Sequence, residues 1–263
     1  MTAPSPLGAT LIESDRRYFE LGADVIELEG AVVVSMEGLE NLAGACVVQR
    51  VEPGRIVTEP EIWVRSTTEY LRDRGHSTAR VYLVDPDTGL DGALVGQGFQ
   101  KRLEIGYVSV RPLGSGRTDI VLRPMDGEQD WEAKRKLHAG SDTAADGHDA
   151  SPEDWVDLEH RKCTTGGMQA FLVEAEGEVC GAVAVLDVSG VLRAKNLFVH
   201  PDRRREGIAG GVLRALSQEA ARLGREAVGV FGVPGNPGDA VYRRLGMDPV
   251  VSQFEWCRSL SRG

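Results

Sequence analysis

The stretch NLFVHPDRRREGIAGGVLRAL, residues 196–216, constrains this chain more than any other. An apolar strand runs into a short basic turn, and the turn opens a helix through Gly207, Ala209, Gly210 and Gly211. Small residues at a helix start let another molecule approach the backbone closely. The first N–H groups of a helix have no internal acceptor, and their partial positive charge favours an anion, usually a phosphate. Arg203, Arg204 and Arg205 add positive charge, so the segment reads as a pyrophosphate cradle. The plainer alternative is an ordinary helix start with a solvated basic face.

The rest of the chain is acidic. Thirty Lys and Arg against 40 Asp and Glu leave a net charge of −10, which argues against nucleic acid as a partner because phosphate contacts need clustered positive charge. No run reaches the ~18 apolar residues of a membrane helix, so no membrane partner is expected. The opening MTAPSPLGATLIESDRR has no basic segment followed by an apolar run, so no leader is expected either. Cys46, Cys163, Cys180 and Cys257 are far apart, and neither they nor His138, His148, His160 and His200 show metal-ligand spacing; no metal is expected. Cys46 and Cys180 lie in apolar runs and read as buried thiols, which suits a reduced, cytoplasmic interior.

A length of 263 residues favours two domains. The best linker is RPLGSGRTD, 111–119, and it divides the chain into 1–112 and 118–263. The first twenty-odd residues are weakly patterned. Strands are then expected at 31–36 and 44–51, a helix at 59–75, a strand at 79–84, a short helix near 90–95 and a strand at 99–110. After the linker come a strand from 118, a helix from Asp130 and the polar loop 141–150. Ser151 reads as an N-cap, with Pro152 at the first helical position and Asp154 three residues on. A hairpin turning at Glu176–Gly177, the strand 191–201, the helix 207–224, a strand at 227–233, a helix at 238–246 and a last strand at 249–258 follow. The halves share this order. Setting Gly98-Phe99 over Gly246-Met247 places Pro86 over Pro234 and Asp91 over Asp239 without a gap, which points to a duplicated domain.

VHPDRRREGIAGGVL resembles the acetyl-CoA-binding motif [RQ]-x-x-G-x-[GA] of the GNAT acyltransferase superfamily, with Arg204, Gly207 and Ala209 at its three defining places. A second block, VFGVPGNPGDAVYRRLGMDPV, resembles the family's next segment through Asn236, Tyr242 and Leu245-Gly246-Met247, with Met247 where Phe is usual. The resemblance covers about 118–263. It implies an α+β fold of tandem GNAT-like domains, with mixed, largely antiparallel sheets flanked by helices.

The resemblance also implies direct transfer of an acetyl group from acetyl-CoA to an amine. Leu197, Phe198 and Val199 would pair with the pantetheine arm. Main-chain groups of Arg204, Arg205, Glu206, Gly207, Ile208, Ala209 and Gly210 would hold the pyrophosphate, and Asn236 would contribute from the second block. Tyr242 would protonate the departing thiolate; its plain alternative is an aromatic residue packed on a short helix. Where many relatives carry a carboxylate base, this chain has Lys195 and Phe231, which leaves Asp187, Glu159, His160, a water relay or an already neutral amine.

In the first half the positions matching Gly207 and Ala209 are Thr58 or Glu59 and Pro60 or Glu61, and Leu94 matches Tyr242. That half therefore resembles a degenerate GNAT-like domain without a working cofactor site. The acceptor region holds Asp142, Asp146, Asp149, Glu153, Asp154, Asp157 and Glu159, read either as a solvated loop and helix start or as an acidic wall steering a cationic amine. Trp155 reads as core, with an aromatic wall as the alternative. The expected partners are a small-molecule amine and, from the family's habit of dimerising, a second copy of the chain. A CoA-binding sensor and a protein N-acetyltransferase are the competing readings.

Overall fold

The structure is a computed structural model describing residues 4–84, 89–114, 116–139 and 151–260. Pro86 of the repeat alignment, Ser115 of the linker, His148, and Asp142, Asp146 and Asp149 of the acidic loop lie outside the described residues. The first part of the chain forms α1 (Pro6–Glu20), β1 (Asp24–Leu28), β2 (Ala31–Ser35), β3 (Cys46–Gln49), α2 (Pro60–Asp73), β4 (Thr78–Leu83), α3 (Leu90–Gly96) and β5 (Gln100–Ser109). The second forms β6 (Ile120–Pro124), α4 (Glu128–His138), α5 (Pro152–Thr164), β7 (Met168–Ala175), β8 (Glu178–Val188), β9 (Val191–Val199), α6 (Ile208–Arg222), β10 (Ala227–Gly232), α7 (Pro237–Arg244) and β11 (Asp248–Ser259).

Two compact units result, and neither is a continuous stretch of chain. The first contains the residues up to Tyr18, the run from Ile105 through α4, and Glu159–Val251. Its strands lie in the order β6-β7-β8-β9-β10-β5, antiparallel except for β9 beside β10. On one face α6 buries Ile208, Val212, Leu213 and Leu216 against Leu192, Ala194, Val228 and Val230. Each such side chain stabilises the unit by about 1.5–3 kcal/mol. On the other face Leu11 of α1 packs with Val108, Val191 and Ala227.

The second unit contains Phe19–Glu104, the start of α5 through Leu158, and the chain from Ser252. Its strands run β1-β2-β3-β4-β11. Its core joins Val33, Val48, Val81 and Trp256 to Trp63 and Leu71 of α2. Trp155 is partly buried and packs against the cluster of Met36, Leu42, Ala45 and Leu158.

The linear division at 112–118 separates the halves of the sequence, but each half's last strand completes the other unit's sheet. Ile105–Ser109 of β5 pair with β10, and Phe254–Ser259 of β11 pair with β4. A strand joins whichever edge matches its pattern, and adjacency in sequence does not decide which edge that is. The opening residues also depart from expectation, forming α1 and β1. The buried face of α1 carries Ser14 and Asp15 among Leu11, Ile12 and Tyr18, and these polar residues interrupt the apolar period. Cys46 and Cys180 are buried, and all four cysteines are free thiols. Among the described residues no helix is long and apolar enough to cross a membrane.

Candidate active site

β9 departs from its parallel neighbour soon after it starts. It pairs with β10 only through Val191–Arg193 against Ala227–Gly229. On its other side Ala182 faces Phe198 and Ala184 faces Lys195, so Val183 faces two residues, Asn196 and Leu197. This is a bulge, and the extra residue bends the strand. Asn196 takes a φ of 52°. Close approach at this point needs Gly181, where a Cβ would lie 2.5 Å from the Phe198 carbonyl oxygen. Beyond the bulge Leu197, Phe198 and Val199 are half-buried, and their β10-facing edge has no strand pairing among the described residues. Such an edge suits an extended ligand with amide groups.

The turn after β9 ends on the N-terminus of the 15-residue helix α6. Gly207 is its N-cap, left-handed with φ 80°, a conformation that disfavours side chains. The nearest atom to a Cβ built there is Arg117 Cγ at 4.0 Å, so space lies over the turn. Ile208 and Gly210 are buried and Ala209 half-buried, so what the helix start offers a ligand is main-chain amide. Arg204 is extended, and its Nε donates to the Val199 carbonyl at 3.2 Å, tying turn to strand. Arg205 is exposed, with φ 70°.

The charges of this turn are more balanced than the sequence suggests. Arg203 pairs with Glu206 at 2.9 Å and Glu178 at 3.4 Å. Arg117, a linker residue that pattern reading passes over, pairs with Asp119, Glu176 and Glu206. Arg203 is therefore an organiser of carboxylates rather than a free phosphate ligand. Glu206 turns its carboxylate to the two arginines, which leaves its backbone for the cradle.

Tyr242 lies on α7, half-buried, its ring over Gly232 and its hydroxyl oxygen near Gly238. Burial raises its pKa, with the Arg193 charge opposing, so the phenol holds its proton at neutral pH. The ring meets Tyr107 with centroids 5.7 Å apart. Tyr107 donates its hydroxyl to Asp239 at 2.5 Å, and Asp239 also accepts from Arg243 and from the Gly235 amide. The Tyr107 bond holds the Asp239 carboxyl below its ordinary range. This anchor of α7 shows in the sequence only as the repeat match to Asp91. Asn236 is the N-cap of α7, exposed, and its side chain does not cap the helix.

The places where a carboxylate base was sought are filled otherwise. Lys195 pairs with Asp15 of α1 at 2.8 Å, and Phe231 lies under the Arg193 guanidinium at 5.0 Å. Asp187 is paired with Arg225 at 2.6 Å, and His160 is stacked on Trp131. Glu159 alone of the three alternatives reaches the bulge, accepting from Asn196 Nδ2 at 2.6 Å and from Lys134 Nζ. His138 stacks on Phe198 at 3.9 Å; burial and the Lys134 charge push its pKa down to about 4. Of the acidic segment, Asp154 completes the cap of α5: its amide donates to the Ser151 hydroxyl and its carboxylate accepts from the Ser151 amide, both at 3.2 Å. Among the described residues no three His, Cys, Asp or Glu side chains converge as metal ligands.

Comparison with known proteins agrees with this geometry. Residues 167–246 match the family model of the acetyltransferase (GNAT) domain. Among solved structures, a GCN5-related N-acetyltransferase from Kribbella flavida superposes with a TM-score of 0.64 at 15% identity, covering 97% of this chain and 96% of that one. One from Sphaerobacter thermophilus gives 0.63 at 18% identity, covering 95% and 86%. A tandem GNAT protein from the clavulanic acid biosynthesis pathway gives 0.58 at 15% identity, covering 89% and 79%. These likenesses establish the fold. No curated protein matches the sequence.

Proposed function

We propose that the chain, whose residues 167–246 match the acetyltransferase (GNAT) domain, moves an acetyl group from acetyl-CoA to the primary amine of a small acceptor, such as a cationic or amino-acid-like one. The observation that carries this reading is the left-handed Gly207 at the start of α6, next to the unpaired β9 edge. Those two features fit a carrier with a diphosphate and an amide-bearing arm. The donor supplies an activated thioester. Amides of the α6 first turn and the preceding residues bind its diphosphate, and the edge of Leu197–Val199 orients its arm and polarises the thioester carbonyl. Tyr242, protonated at neutral pH, gives its proton to the leaving thiolate. With Lys195 held by Asp15 and Phe231 apolar, the acceptor amine arrives neutral or loses its proton to water. The four free thiols support a reducing, cytoplasmic setting.

Isothermal titration with acetyl-CoA, followed by thiol release over a panel of amines and peptides, tests the proposal. Binding with turnover on a small amine is expected. The absence of a carboxylate at Lys195 and Phe231 favours one second reading, a CoA-binding sensor, and binding without turnover on any amine or peptide selects it. Turnover confined to peptides would replace the small acceptor with a protein.

A further inference from the structure

Building on the acyl-donor reading, we infer that Asn196, held by Glu159 and Tyr18, locks the bulge that opens β9 away from β10, and that the three act as positioning residues for the donor cleft. Asn196 Nδ2 donates to Glu159 Oε2 at 2.6 Å and to Tyr18 Oη at 3.2 Å. Glu159 and Tyr18 are each 2% exposed. The second oxygen of Glu159 accepts from Lys134 Nζ, so both oxygens are engaged. That arrangement suits holding Asn196 more than taking a proton from an acceptor. Tyr18 is fixed in turn: its carbonyl accepts from Lys162 at 2.8 Å, and the Lys195 ammonium sits 4.4 Å from its ring centre.

The lock has something to resist. A φ of 52° is costly for a residue with a Cβ and least so for Asn, and it persists where the surroundings over-determine it. If Asn196 relaxed to extended backbone, the two-against-one register opposite Val183 would be lost and Leu197–Val199 would be re-aimed. Their edge is the one the donor reading uses. The helices α1 and α5 thus set the cleft through one side chain.

The test uses the full chain with Asn196→Ala, Asn196→Gly and Glu159→Gln. Readouts are amide hydrogen exchange over 195–199, isothermal titration with acetyl-CoA, and the pH profile of thiol release. Asn196→Ala should speed exchange across the bulge and weaken acetyl-CoA binding about tenfold, the scale of a left-handed backbone preference. Asn196→Gly adopts the same φ without a Cβ but lacks the tether to Glu159 and Tyr18, so it should recover only part of that loss. Glu159→Gln should lower turnover while leaving the acid limb of the pH profile in place. Wild-type behaviour of Asn196→Ala, wild-type behaviour of Asn196→Gly, or removal of the acid limb by Glu159→Gln would each overturn the inference. Failure of the unsubstituted chain to bind acetyl-CoA would sink the donor reading instead; hydrogen exchange in the Ala and Gly variants would still decide the lock.

Discussion

The two helix starts that follow β3 and β9 solve one electrostatic problem in opposite ways. Each is approached by a hairpin turning at Glu-Gly: Glu29–Gly30 between β1 and β2, Glu176–Gly177 between β7 and β8. Before α2, the Glu29 carboxylate accepts from the amides of Val57 at 2.6 Å and Thr58 at 2.9 Å, and from the Thr58 hydroxyl at 2.6 Å. These bonds hold its carboxyl below the ordinary 4.5. The anion at that turn is the protein's own. Before α6, Glu176 is taken by Arg117 at 2.7 Å and Arg203 at 3.8 Å, so arginine side chains, not the turn's amides, neutralise it. The N-caps differ accordingly: Glu59, φ −53°, in one and Gly207, φ 80°, in the other. A helix start attracts negative charge in either case. Whether it is filled from within depends on where one glutamate finds its partner.

The largest effect on donor binding should come from Gly207→Val. A branched side chain at φ 80° should weaken acetyl-CoA binding at least about tenfold by titration, whereas Glu59→Gly should leave it unchanged. A comparable loss from Glu59→Gly would break the contrast. Tyr242→Phe has the largest effect on turnover, which should fall about a hundredfold while donor affinity stays nearly constant. Its counterpart Leu94 is wholly buried, and Leu94→Ala should instead cost about 2–5 kcal/mol of stability, with full activity per folded molecule. Equal loss of turnover and affinity in Tyr242→Phe would refute the acid role. The smallest effect belongs to Glu29→Gln, which should lower the melting temperature and leave the acetyl-CoA titration alone. Because folding depresses the Glu29 pKa, its stabilisation is present above 4.5 and is lost as pH falls through the lower folded value. Thermal melts of Glu29→Gln should therefore lose part of the acid dependence seen in the unsubstituted chain. An unchanged melting temperature would show that Glu29 is not a structural anion.

Much of this was legible along the chain. Pattern reading placed α6 through its period, the β7–β8 hairpin through Glu176–Gly177, and the N-cap of α5 through Ser151. It also placed Gly207 at the helix start, because a glycine there states its own conformational requirement. It missed α1, whose buried face is part polar, and with it Asp15 and Tyr18. It missed Arg117, whose partners Glu176 and Glu206 lie 59 and 89 residues further on. It left Glu159 as one of several bases, since a helix residue gives no local sign of meeting a bulge 37 residues later.

By itself the sequence determined the order of elements from β2 onward and the glycine-marked start of α6. These rest on local backbone preference and hydrophobic period, which a short window of residues contains. Only the tertiary structure decided that β5 and β11 exchange units, that Glu29 binds the amides before α2 while Arg117 and Arg203 engage Glu176, and that Asn196 is tethered to Glu159 and Tyr18. Those outcomes depend on which edges and charges meet after the chain has packed, and a contact between distant residues leaves no period or propensity behind it.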